Sequence, residues 1–236
     1  MLSAPDPAPL FARLTSLLVG HRCLACAKPA ARMVCAGCVA TLPGAGRPRC
    51  VLCAIGLAAG AHGTQVCGAC LKSPPPYDAS FAAFDYAPPA DALVRALKFG
   101  QHFGLAPLLA AQLAARLPAH WRCDVVLPVP LSRERLAQRG YNQSWQVARA
   151  LPAALGPRDW KLLARTRDTA PQMELPFDAR RKNIRGAFVV RGDVRGKHVA
   201  VLDDVMTTGH TLAEVARVLK AAGAARVTNL VVARTP

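Results

Sequence analysis

The 236 residues predict an α/β fold: a Rossmann-like sheet of about five mainly parallel strands flanked by helices, with a small double zinc ribbon ahead of it. Three observations carry this expectation. Val199, Ala200, Val201 and Leu202 form a continuous apolar run that ends at Asp203 and Asp204, as a strand covered on both faces does. A second such run, Asp124 to Pro130 (DVVLPVP), stands upstream, and stretches of helical spacing lie on either side of it. Eight of the nine cysteines fall into four C-x-x-C pairs in the first third of the chain.

The length suits one good-sized core plus a smaller module. At the N-terminus, Leu10, Phe11, Leu14, Leu17 and Leu18 repeat at helical spacing behind Pro9, which suits a first helical position. They predict a short amphipathic helix that docks on the body, with a membrane-surface or partner-binding helix as the other reading. The basic start and small-residue cleavage site of a secretory signal are lacking, and no apolar run approaches the roughly 18 residues of a membrane span. A cytoplasmic protein is therefore expected. The formal net charge of +16 is spread over the chain: residues 1–75 hold seven Lys or Arg against Asp6 alone, and residues 76–236 hold 23 against 13 acids. Such a field attracts nucleic acid or a phosphate-rich small molecule, unless it is simply a solvated basic surface.

The pairs Cys23/Cys26, Cys35/Cys38, Cys50/Cys53 and Cys67/Cys70 are separated by 8, 11 and 13 residues. Each pair presents two thiolates from one tight turn, and two turns complete a tetrahedral zinc site. Sequential pairing predicts two closed, structural zinc ions, with a disulfide framework as the competing reading. Aromatic residues that would stack on bases are absent between Cys23 and Cys70. Arg22, Lys28, Arg32, Arg47 and Arg49 remain available to phosphates, without reading bases. His62, inside the last loop, is more simply a surface residue than a ligand.

Lys72 to Pro76 (KSPPP) is the expected boundary between residues 1–75 and residues 76–236, because consecutive prolines neither continue a helix nor donate to a sheet. Beyond it, Ser80 to Tyr86 predicts a strand, and Pro89 opens a helix through Leu93, Val94 and Leu97 that Gly100 ends. A second helix is expected over 105–117. The polar stretch Leu131 to Gln143 leaves the C-terminal end of the DVVLPVP strand, where open α/β sheets bind ligands. Its Arg133, Arg135 and Arg139 suit a pyrophosphate, or else a solvated helix face. Gly140 and Asn142 supply the turn and cap for a helix to Ala150. Trp160 to Arg165 predicts a short strand, and a long polar loop follows it to Phe188, of a kind more often functional than idle. The lone Cys123 reads as a small buried residue.

After the central strand, Thr207, Thr208, Gly209, His210 and Thr211 bring hydroxyls and a glycine to the start of a helix over 212–222. Backbone N–H groups at a helix N-terminus, with small side chains beside them, bind phosphate. The carboxylates of Asp203 and Asp204 need a different partner, either sugar hydroxyls or a divalent cation. A phosphorylated sugar meets both needs. His210 either tunes phosphate affinity near neutral pH or points to solvent while its N–H binds.

The stretch VAVLDDVMTTGHTL resembles the phosphoribosyl pyrophosphate (PRPP) motif of the type I phosphoribosyltransferases. That resemblance implies a type I phosphoribosyltransferase-like sheet, Asp203 and Asp204 on the ribose hydroxyls, and Thr207 to Thr211 around the 5′-phosphate. AFDYAPPADALVRALKFG, which contains Lys98, and the later RGYNQ are similar to the ComF family of bacterial competence proteins, as are cysteine knuckles ahead of a transferase domain. Arg165, Thr166, Gln172, Arg180, Arg181 and Asn183 match a pattern of the same family. The resemblance implies Lys98, Arg133, Arg139 and Arg180 as further ligand-facing residues. It also implies Mg²⁺ with the PRPP, and a loop that closes over the ribose and excludes water. The biological setting it implies is natural transformation, with single-stranded DNA and competence-machinery proteins as partners. No segment announces an acceptor, so phosphoribosyl transfer stands beside a non-catalytic alternative. In that alternative the pocket senses PRPP or grips a terminal phosphate while the basic surface holds DNA.

Overall fold

The computed structural model describes residues 21–58, 65–167 and 184–236. The N-terminal amphipathic stretch, His62, Gln172, Arg180, Arg181 and Asn183 lie outside these residues, as does most of the polar loop before Phe188.

Regular structure is scarce where cysteines organise the chain. Strands β1 (His21–Arg22) and β2 (Pro29–Ala30) pair antiparallel around the first knuckle, and two five-residue helices follow, α1 (Ala36–Ala40) and α2 (Gly68–Lys72). Each of those helices has a cysteine at its N-cap position, Cys35 or Cys67, without a side-chain capping bond.

The remainder builds the sheet. Strand β3 (Ala79–Asp85) leads to α3 (Ala90–Phe99), a 3-10 turn at Phe103–Leu105, and α4 (Ala106–Ala114). Strand β4 (Val125–Pro128) runs to α5 (Arg133–Arg139) and α6 (Gln143–Ala150). Then come β5 (Leu163–Arg165), β6 (Phe188–Val190), β7 (His198–Met206), α7 (His210–Ala221) and β8 (Arg226–Arg234). The main sheet is four-stranded and wholly parallel, in the order β3-β8-β7-β4. A fifth position is only begun, by an isolated parallel bridge between Val126 and Arg158 on the β4 edge. The short strand expected near Trp160 forms as β5, but it pairs antiparallel with β6, a strand that the polar character of 165–188 does not signal.

Alternation along the strands divides the core in two. Ala200, Leu202, Leu230 and Val232 face one side with Leu93 and Leu97 of α3, Leu109 and Leu113 of α4, and Val147 of α6. Val199, Val201, Val227 and Val231 face the other side, with Leu212, Val215 and Leu219 of α7. Each fully buried leucine contributes about 2 kcal/mol, so the apolar runs dominate folding. Both faces being covered explains why these strands read as unbroken apolar runs.

The cysteine-bearing segment clasps the β3 edge. Val51 accepts a hydrogen bond from the N–H of Ser80 (2.9 Å), and Pro43 accepts one from Asp85 (2.9 Å). This pairing covers backbone groups that an open edge would expose. Arg49 and Arg47 pair with Asp85 at 2.8 and 3.5 Å, so these two arginines anchor the module to the sheet, although they had read as available to phosphates. Cys23, Val34 and Leu42 join the α3/α4 core, while Cys50, Cys53 and Cys70 join the α7 core. The two knuckles therefore sit on opposite faces of one sheet.

Candidate functional site

Strand β7 does not end at the acidic pair. Pairing with β8 continues as far as Met206 opposite Arg234, so Asp203 and Asp204 lie within its last turn of pleat and point to different surroundings. Asp204 is 5% exposed. Lys98, in the last turn of α3, reaches its Oδ1 at 3.0 Å, and Gln143 Nε2 donates to its Oδ2 at 2.5 Å. Both carboxylate oxygens are thus held by the protein, which satisfies a charge that burial would otherwise penalise. Gln143 is the first residue of α6, and its Oε1 accepts from Arg139 Nη1 at 3.0 Å. Lys98, Asp204, Gln143 and Arg139 form one continuous network.

Asp203 differs. Its Oδ1 accepts from the N–H of Asp204 (2.9 Å) and from Ser144 Oγ (3.4 Å), and its Oδ2 has no hydrogen-bond partner among the described residues. Burial and the neighbouring Asp204 raise the Asp203 carboxyl to about 7, against the opposing pull of Lys98. A ligand that donates hydrogen bonds, or a cation, would relieve that strain. A depression of about 240 Å³, open to solvent, is lined by Asp203, Val205 and residues 206–212.

Loop geometry follows from glycine. Gly209 caps α7 with φ of 78°, in the left-handed region, and a side chain there would meet Met206 Cε at 2.8 Å and Tyr77 Oη at 3.2 Å. The turn places Thr207, Thr208, His210 and Thr211 around the N-terminus of a 12-residue helix, the positive end of its dipole. Thr208 Oγ1 accepts from the His210 N–H at 3.5 Å.

The stretch after β4 is more ordered than a loop. Ser132 caps α5 by accepting from the Arg135 N–H, and Gly140 closes it with φ of 73°. Arg133 is exposed in the first turn of this helix, whereas Arg139, in the last, stacks its guanidinium 5.0 Å from the centroid of the Phe99 ring. Asn142 caps α6 by accepting from Ser144 and Trp145, and it ties back to the carbonyl of Val129 at 2.9 Å. The structure therefore brings Lys98, Arg139, Asp203 and Asp204 together beside residues 207–211, and it leaves Arg133 on the outer turn. Gln143 and Ser144 were not singled out from the sequence. Gln143 ends the motif RGYNQ and Ser144 follows it, but only the fold shows that two polar residues in a first helical turn are buried against the acidic pair.

The eight clustered cysteines are free thiols in two groups, Cys23/Cys26/Cys35/Cys38 and Cys50/Cys53/Cys67/Cys70, the sulfurs of each group lying within 4.8 Å of one another. Cys26 and Cys35 sulfurs stand 3.9 Å apart, and Cys53 and Cys67 sulfurs 3.7 Å. Thiolates on a tetrahedral divalent ion stand about 3.8 Å apart, so the donor sets fit such an ion, with pairing in chain order. Burial opposes ionisation of Cys23 and Cys50, but backbone N–H groups outweigh it and bring the thiols to about 6 and about 7. Four sulfurs around one ion would leave no open position for substrate. Cys123 is half-buried and donates to the Leu155 carbonyl at 3.2 Å, and burial raises its thiol to about 11.

Residues 108–236 match the family described as phosphoribosyl transferase domain. The DNA utilization protein YhgH of Salmonella typhi is 36% identical over 230 residues, which cover 93% of this chain and 99% of that protein. Competence protein F of Haemophilus influenzae is 32% identical over 169 residues, covering 67% and 74%. Among solved structures, the allosteric regulatory enzyme of purine biosynthesis has 25% identity and a TM-score of 0.35, covering 54% of this chain and 25% of that one. The glutamine PRPP amidotransferase of B. subtilis has 20% identity and a TM-score of 0.39, covering 59% and 30%. This chain thus spans about a quarter to a third of those two proteins. No helix among the described residues is long and apolar enough to cross a membrane. The match to the transferase domain and the near full-length likeness to the DNA utilization proteins establish that the chain belongs to the ComF family.

Proposed function

We propose that this protein binds PRPP with Mg²⁺ in the pocket after β7 and acts in the cytoplasm during natural competence, in the uptake or use of incoming single-stranded DNA. Within this reading, residues 76–236 form the transferase-like domain, and residues 1–75 form a module held by two structural zinc ions. One observation carries it: Asp204 is fully occupied by Lys98 and Gln143, whereas Asp203, whose Oδ2 has no hydrogen-bond partner among the described residues, lines one depression with the N-terminus of α7. That division suits Asp203 to a ribose hydroxyl and Asp204 to fixing the frame around it. Thr207, Thr208, Gly209, His210 and Thr211 receive the 5′-phosphate on backbone N–H and hydroxyl donors. Arg139 faces the pyrophosphate.

In transfer, bound Mg²⁺ supplies charge neutralisation on the departing pyrophosphate. The residues of this chain orient the sugar, stabilise charge that develops on the leaving group, and hold the ribose while a nucleophile reaches its C1. Calorimetry of PRPP with Mg²⁺ tests the reading. Wild type binds, and the double variant Asp203→Ala/Asp204→Ala loses at least about tenfold in affinity. Equal binding by the two proteins refutes it.

Phe99 favours a second, non-catalytic reading. It is 70% exposed, carries the Arg139 guanidinium on its face, and follows Lys98 in the chain. An exposed ring with cations around it stacks a base and holds a backbone phosphate. On this reading the surface grips single-stranded DNA, alone or with competence-machinery proteins, while the pocket senses PRPP. Binding of a single-stranded oligonucleotide that weakens steeply with salt supports it, and no binding at about 50 mM salt removes it.

A further inference from the structure

We propose that Arg234 is a positioning residue that couples the second cysteine cluster to the phosphate loop, so that metal on Cys50, Cys53, Cys67 and Cys70 sets how firmly the loop holds a phosphate-bearing ligand. The inference rests on the PRPP reading of that loop. Arg234 is the last residue of β8 and is 8% exposed. Its Nε donates to the Cys53 carbonyl at 2.9 Å, and its Nη1 donates to Met206 at 3.2 Å and to the Thr235 carbonyl at 2.5 Å. One guanidinium therefore joins the backbone of a metal ligand to the residue from which the phosphate loop departs.

Charge gives the link its direction. Among the described residues no carboxylate lies within ion-pair distance of Arg234, and its hydrogen-bond acceptors are backbone carbonyls and the Thr235 hydroxyl. A buried cation of this kind needs a counter-charge. A divalent ion on four thiolates carries roughly two negative charges, and this cluster stands against the strand end that bears Arg234. Loaded with metal, the cluster both compensates Arg234 and fixes the Cys53 carbonyl it grips. Without metal, the guanidinium loses its counter-charge, and the carbonyl its anchor.

Tyr77 makes a second tie. It is buried in the same core as Cys50, Cys53 and Cys70, and its Oη lies where a side chain on Gly209 would fall, 3.2 Å from that site. Met206 closes the remaining side, its Cε 2.8 Å from the same point. The loop conformation is thus packed directly against residues that rest on the second cluster. Among the described residues no hydrogen bond joins the first cluster to that loop. That cluster packs on the opposite core, and its Met33 Sδ lies against Gly104 in the turn between α3 and α4.

Linkage is reciprocal, so PRPP must tighten metal at the second cluster. The test follows zinc release from the zinc-loaded full chain to a chromogenic chelator, with and without PRPP and Mg²⁺. The release phase of the first cluster is identified by its absence in Cys38→Ser. Saturating PRPP is expected to slow the second-cluster phase about tenfold and to leave the other phase unchanged. Arg234→Gln, still holding both zinc ions, should lose that slowing and bind PRPP about tenfold more weakly, and Arg234→Lys should recover part of both effects. Release that PRPP does not slow, or slowing that survives in Arg234→Gln, overturns the coupling. Should wild type bind no PRPP, the PRPP reading fails by itself, and amide exchange decides the coupling. Faster exchange over 206–212 once the second zinc is stripped supports it, and unchanged exchange overturns it. The exchange and wild-type release measurements need no variant, so they decide the question even if Arg234→Gln does not fold.

Discussion

The first cysteine cluster has one buried ligand, Cys23, with Cys26 exposed and Cys35 and Cys38 half-buried, and it rests on the helical face formed by α3 and α4. In the second, Cys50, Cys53 and Cys70 are all at most 9% exposed, and it rests on the α7 face, in one core with Met206 and Leu212. Identical donor sets thus occupy unlike sites. Metal at the first would stabilise a module at the sheet edge, and under the proposed coupling metal at the second would also organise the floor beneath the site. Chemistry that is the same in both clusters cannot produce this difference. It comes from which face of one sheet each knuckle covers.

Breaking the clusters one at a time is expected to give the largest effects. Cys50→Ser/Cys53→Ser should lose one zinc ion and several kcal/mol of stability, more than Cys23→Ser/Cys26→Ser, because it also opens the α7 core. Metal content by mass spectrometry with urea unfolding measures both, and equal losses would erase the contrast. The hinge between the clusters comes next. Arg49→Met leaves the Asp85 carboxylate buried without its nearer partner and should cost about 3 kcal/mol, whereas Arg47→Met, at a more exposed pair, should cost under about 1 kcal/mol. Urea unfolding of the two variants compares them directly.

The pocket on the α7 face makes a pH-dependent prediction. The folded Asp203 carboxyl titrates at about 7, well above its ordinary 3.8. Between these values the folded chain holds a proton that the unfolded chain has released, so stability falls as pH rises through this window. Asp203→Asn removes the ionisation. It should match wild type near pH 4 and exceed it by about 2 kcal/mol above pH 8, read by denaturant melts at the two pH values. The smallest effects compare two glycines, one on each face. Gly209→Ala forces a side chain into the left-handed region against Met206 and Tyr77 and should cost about 1–2 kcal/mol, with loss of PRPP binding. Gly104→Ala meets only the flexible Met33 side chain and should cost under about 1 kcal/mol in the same thermal melt, with PRPP binding retained.

Local signals were legible where one residue type serves one local need. Asn142 caps α6, Gly140 turns the chain before it, Pro89 and Gly100 bound α3, and the apolar runs at 125–128 and 199–202 are strands, all as their chemistry implies. Other features depended on distant neighbours. The extension of β7 through the acidic pair is set by β8, and β6 exists only because β5 lies beside it. Arg47 and Arg49 look like phosphate ligands until Asp85 is placed next to them. Arg234 had no local signature, since an arginine at a strand end is ordinary until burial gives it partners, and RGYNQ marked Gln143 without showing what it meets.

By itself, the sequence determined the kinds of chemistry present: four thiolate pairs at metal-binding spacing, two adjacent carboxylates after a buried apolar run, and a hydroxyl and glycine loop opening a helix. These are short-range patterns, and spacing along the chain settles them. Only the tertiary structure decided how they are coupled. The parallel sheet puts one cluster on each face and sets Lys98 and Gln143 against Asp204. It also carries Arg234, 181 residues from Cys53 in the chain, into contact with it. The physical reason is that a buried charge is stabilised by whichever groups the fold brings within a few ångströms, and sequence distance does not register in that interaction.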